Sequence, residues 1–188
     1  MPLHPAENRG YRELFVSGRQ LIGRWARLAD ALEGSGAEGL LRTAVAAVDE
    51  MLEALEPLIA QHGLHSRLAA QGTGARMGFA RSKVLDRFLE RNQALRLAVS
   101  DLDHLTTLLA YLARVSEDRG HPELARPCRS WEQRLAAERN AVRDAAVGLG
   151  AEPDAAIEPL DPSLVGRAAH RTAWAMGAVG EWIDRRAG

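Results

Sequence analysis

Asp101 and His104, in the stretch VSDLDHLTT at 99–107, stand three residues apart in a segment of helical periodicity. Side chains three or four apart share a helix face, and a carboxylate and an imidazole so placed can hold a common metal ion or exchange a proton. Another acid, Glu138, interrupts the otherwise apolar series Leu124, Cys128, Trp131, Leu135, Val142, Ala145 and Leu149. A carboxylate on a core-facing seam either finds a cation or has its pKa raised. Asp101, His104 and Glu138 are therefore the candidate polar site of the helix seams. A dinuclear centre in a helical bundle needs inward carboxylates from several helices, commonly Glu on two and a Glu-x-x-His unit on two more. The first two helices read from this sequence carry no acid on their seams, so only a degenerate ferritin-like metal-carboxylate bundle remains as a metal-bound alternative. Asp118 and His121 repeat the spacing of Asp101 and His104, but Gly120 between them marks a helix end, where no regular face is shared.

The structural reading of the pair comes from its surroundings. Projected at ~100° per residue, Asp101 and His104 fall on one stripe with Leu97, Leu108, Tyr111 and Val115. That stripe is distinct from the seam of Phe88, Leu95, Val99, Leu102, Thr106, Leu109 and Ala113. A helix apolar on two sides is either central to its bundle or half covered by another subunit. On this reading His104 is a hydrogen-bonded polar residue within the second contact, donating to Asp101, and Leu97, Leu108, Tyr111, Val115 and Trp174 form an interaction surface.

The elements that must position these residues follow from periodicity. A first helix carries Leu14, Phe15, Leu21, Trp25, Leu28 and Leu32 on one stripe, and Gly34 to Gly36 break it. Ser35 and Glu38 have capping-box spacing for a second helix, which runs on Leu41, Val48, Met51, Leu52, Leu55 and Ile59 and is bent by Pro57. From Gly63 to about Ala80 the pattern lapses, with glycines at 72, 74 and 78; a connection of this length lets the chain cross to a non-adjacent position or carry a short helix at 65–70. A third helix spans 80–118, opened by a positive run from Arg76 through Lys83 to Arg91 and Arg96 that suits an anion or an acidic partner, although such a run is usually a solvated face. Gly120 and Pro122 end it and start a fourth, and Asp161 with Pro162 caps a fifth that carries Val165, Ala168, Thr172, Met176, Val179 and Ile183. No period-two strand competes. The expected fold is all-α, a mostly antiparallel up-and-down bundle of four to five helices forming one domain over 1–188.

Within the first helix, Leu14, Phe15, Gln20 and Trp25 of ELFVSGRQLIGRW are spaced as in the first helix of tryptophan 2,3-dioxygenases, which are all-helical haem enzymes. Arg167 and His170 in RAAH are similar to that family's Arg-x-x-His. Over these two helices the chain resembles the family, and the resemblance implies haem as cofactor with His170 as the axial ligand. Arg19 stands where the family has a haem-pocket histidine, and its Gly-Thr-Gly-Gly-Ser segment is absent. From the residues themselves, His170 and Trp174 lie off the seam of the fifth helix, where either a pocket or a packing contact is served.

Composition narrows the function classes. The net charge of −1 gives no global pull toward nucleic acid or anionic lipid, so neither is an expected partner. Lys83 is the only lysine among 24 basic residues, a bias that fits bacterial-like GC-rich coding better than a chemical demand. Cys128 is the only cysteine, which excludes an intrachain disulfide and a multi-thiolate metal site. The N-terminus has no apolar signal core and no run approaches a membrane span, so the expected location is cytoplasmic. With no nucleophile elbow or zinc-helix motif present, no catalytic residue is assigned. The leading expectation is a homo-oligomer or protein-interaction module, with the haem-binding oxygenase-like protein as the alternative.

Overall fold

The computed structural model describes residues 3–64, 89–161, 163, 166–168 and 171. Four long helices account for most of them: α1 (Pro5–Ala31), α2 (Gly36–Ala60), α3 (Arg91–Asp118) and α4 (Pro122–Gly148). A 3-10 turn at Leu149–Ala151 and the short helix α5 (Pro153–Ala156) follow. The described part of the expected fifth helix is helical at 166–168 and 171, after Asp161 Oδ1 accepts the Ser163 N–H at 3.0 Å.

Local chemistry sets the helix ends, in two places differently from expectation. α1 begins at His4, whose Nδ1 accepts the Ala6 N–H at 3.2 Å while Glu7 Oε2 accepts the His4 N–H at 2.8 Å. Pro5 fills the first helical position, where no N–H is needed. At the start of α2 the expected reciprocal box is not made. Ser35 Oγ donates to the Leu32 carbonyl at 2.6 Å, and Glu38 reaches back to the Gly34 N–H at 3.0 Å. Gly34, at φ +78°, turns the chain so that its own N–H is the orphan within reach of Glu38.

The third helix begins at Arg91 rather than 80. Leu89 and Glu90 are held extended by an antiparallel bridge to Pro159, with Arg91 N–H donating to Glu158 O at 3.0 Å and Leu160 N–H to Leu89 O at 2.9 Å. Pairing with 158–160 satisfies backbone groups that a continuing helix would have used, and Glu90 becomes the N-cap. Gly120 (φ +75°) and Pro122 end α3 and start α4 as the sequence implies. Pro57 lies inside α2 on its exposed side.

Neighbouring helices are α1 with α2, α2 with α4, α4 with α3, and α3 with α1, leaving α2 and α3 on a diagonal. Cross-helix pairs give the directions. His62 and Glu50 of the second helix segment meet Glu123 and Arg134, so α2 and α4 are antiparallel. Tyr11 and Arg24 of α1 meet Ser116 and Asp101, so α1 and α3 are antiparallel as well. Every neighbouring pair is thus antiparallel, so α2 and α3 run parallel to each other, and α3 starts at the end of the bundle opposite to the one where α2 finishes. The expected all-α antiparallel bundle is the architecture found.

The core is aliphatic with a few large anchors. Trp25, Tyr11, Phe15, Met51, Leu102 and Leu105 are fully enclosed, each such burial worth roughly 1.5–3 kcal/mol. Two glycines let α1 approach its neighbours closely. A Cβ on Gly10 would lie 2.7 Å from Leu112 Cδ2, and one on Gly18 would lie 3.1 Å from Leu52 Cδ1. Among the described residues no helix is long and apolar enough to cross a membrane.

Candidate functional site

The structure separates the three residues of the expected polar site. Asp101 is buried on α3 and faces α1, where its carboxylate is paired with the Arg24 guanidinium and lies 3.4 Å from Trp25 Nε1, a donor. Its partners are therefore on another helix, and the expected bond from His104 is not the one formed. His104, one turn on, has Nε2 at 3.3 Å from Glu13 Oε1, also on α1. Glu138 is half-buried on α4, the other neighbour of α3. Between those two helices Asp103 pairs with Arg139, at 2.8 Å, and Glu117 with Arg129. Among the described residues no group of three or more His, Cys, Asp or Glu side chains is placed to hold a metal ion.

The second stripe of α3 is thus the contact with α1. Leu108 is buried, Leu97 and Val115 are half-buried, and Tyr111, 47% exposed, packs on the α1 side near Gly10. His170 and Trp174 lie outside the described residues, as do His65 and the glycines at 72, 74 and 78.

A polar cluster that periodicity does not single out occupies the end of the bundle where α1 and α4 begin and α2 and α3 finish. Glu7 of α1 is completely buried. Its Oε1 accepts from Ser116 Oγ at 2.9 Å and lies 3.0 Å from His121 Nδ1, while Oε2 is the capping acceptor for His4. Tyr11 OH, one turn along α1, stands 3.3 Å from Ser116 Oγ and 3.4 Å from Cys128 Sγ. One assignment satisfies the chain: the Cys128 thiol donates to Tyr11, Tyr11 to Ser116, and Ser116 to Glu7. Every proton then points toward a single carboxylate.

The electrostatics agree with that polarity. Burial pushes the Glu7 carboxyl up, but hydrogen bonds from His121, the His4 backbone and Ser116 outweigh it and hold it below its ordinary 4.5. Burial raises the Cys128 thiol to about 11 and drives the Tyr11 phenol well above its ordinary range. Both stay protonated at neutral pH. A thiol that is enclosed and protonated is a poor nucleophile, so the environment of Cys128 favours a packing role.

His121 Nε2 is buried and has no hydrogen-bond partner among the described residues. The His121 ring lies against that of His62, centroids 4.9 Å apart, and His62 Nε2 is 3.3 Å from Glu123 Oε1. Asp118 turns outward to Arg114 at 3.2 Å, so Asp118 and His121 share no face, as the glycine between them implies. The cluster joins all four corners of this end and can hold charge and direct protons inward. The signals that could have found it are Pro5 with Glu7 at a helix start and the inward turn imposed by Gly120. Compared with known families, curated proteins and solved structures, the chain matches none of them.

Proposed function

We propose that the chain is a non-catalytic helical-bundle protein that works by self-association. One observation carries this reading: the ionisable side chains with the best spacing for chemistry are engaged with other side chains of the same molecule, while large apolar side chains remain at the surface. Asp101 is held by Arg24, His104 faces Glu13, and Glu7 collects three hydrogen bonds. Tyr111 is 47% exposed on the outer edge of the α1–α3 contact, beside half-buried Val115. Tyrosine is favoured at interfaces because it offers a large rigid apolar body and a polar tip.

Light scattering coupled to size exclusion, over a range of protein concentrations, tests the proposal. The wild-type chain is expected to run as a dimer or larger, and Tyr111→Arg to shift it toward monomer without changing its helical circular dichroism. A wild-type chain that stays monomeric throughout, or a Tyr111→Arg variant with unchanged mass, contradicts the reading.

A further inference from the structure

At the end of the bundle opposite the Glu7 cluster, the first two turns of α3 and the last two of α4 enclose an open groove of about 410 Å³. Asn92, Arg96 and Val99 line it from α3; Arg143, Ala146 and Val147, with Gly150 just beyond, line it from the other side. These positions recur at three- and four-residue steps, so each set is a single helix face. Asn92 Nδ2 donates to the Ala146 carbonyl at 2.7 Å, which ties the two walls together at the base. The groove is apolar between its arginines, and Val147 is 65% exposed.

The two arginines differ from their neighbours. Arg91, Arg134 and Arg139, on the same two helices, each hold a carboxylate at 2.7–2.8 Å. Arg143 reaches only the adjacent Asp144, at 3.7 Å, and Arg96 takes part in no ion pair among the described residues. A guanidinium presents five donors in a planar fork matched to carboxylate, sulfonate or phosphate oxygens. Two such groups beside an apolar floor, in a groove within the size range of small-molecule sites, match a ligand with an apolar body and one anionic head.

From this geometry we infer that the groove between Arg96 and Arg143 binds a small amphiphilic anion, its head on the guanidinium groups and its apolar body along Val99, Ala146 and Val147. The site is separate from Tyr111 and stands independently of self-association.

The test uses 8-anilinonaphthalene-1-sulfonate, which combines an aromatic body with one anionic head, as a fluorescent probe of the full chain. Decanoate and decanol serve as competitors with and without the charge. Wild-type protein is expected to enhance the probe's fluorescence saturably, with decanoate displacing it and decanol not. The double variant Arg96→Glu, Arg143→Glu should weaken binding roughly tenfold or more, the loss expected for one charge-assisted hydrogen bond. The double variant Arg9→Glu, Arg126→Glu makes the same change in charge at exposed positions of the opposite end and should leave binding unaltered. Val147→Asp tests the apolar wall separately and should also weaken it. The inference is overturned by an absence of saturable binding, by equal displacement with decanol, or by equal losses in the two double variants.

Discussion

At the end of the bundle where α1 and α4 begin, a carboxylate, two hydroxyls, a thiol and an imidazole are linked one to the next by contacts of 2.9–3.4 Å and are shut away from water. At the opposite end two guanidinium groups flank an open apolar groove. The difference is one of solvation. Polar groups sealed from water must satisfy each other and so become part of the fold, whereas charges left in water remain available to a ligand. Perturbed pKa values at the sealed end therefore report structure: Glu7 is held down by hydrogen bonds from His121, the His4 backbone and Ser116.

The largest effect is expected where the sealed network is broken. Glu7→Ala leaves Ser116, His121 and the His4 backbone facing a cavity, and the loss of a buried, hydrogen-bonded charge should lower unfolding free energy by about 3–5 kcal/mol. Chemical denaturation measures it, and a loss under 1 kcal/mol would place the network outside the stabilising core. Next comes the pairing of α3 with α1. Asp101→Ala removes a buried acceptor of Arg24 and Trp25, and the Arg24 side chain keeps 17% exposure and so some access to water. A smaller loss of about 1–3 kcal/mol is expected by the same measurement. At the open end, Arg96→Glu with Arg143→Glu should leave stability within about 0.5 kcal/mol of wild type, as surface substitutions do. A loss comparable to that of Asp101→Ala would erase the contrast between the two ends.

The same contrast explains what the sequence disclosed. Stripes such as Leu41, Val48, Met51 and Leu55 are local and periodic, so the all-α class, the long helices and their antiparallel packing were readable. Gly120 and Pro122 marked the α3–α4 corner for the same reason. The start of α1 was not readable because histidine is an uncommon N-cap and Glu7 precedes the first apolar stripe. The partners of Glu7 lie far along the chain: His121 is 114 positions away, and Arg24 is 77 from Asp101. Spacing within one helix carries no information about such pairs. It suggested that Asp101 and His104 face each other, while tertiary packing gave each its own partner on α1. The start of α3 moved to Arg91 because pairing with 158–160, which has no local signature, competes for the backbone of Leu89 and Glu90.

The central claim, that the sealed end is a structural clasp around an anionic Glu7, is tested most directly by comparing wild type with Glu7→Gln in chemical denaturation from pH 7 to pH 3. Because the folded-state pKa of Glu7 is depressed, its stabilisation is fully present above the ordinary value of 4.5 and is lost as pH falls through the lower folded value. Wild type should therefore be the more stable protein at pH 7, and the gap to Glu7→Gln should close as the pH drops below 4.5. A gap that is absent at pH 7, or that stays constant down to pH 3, would contradict the account.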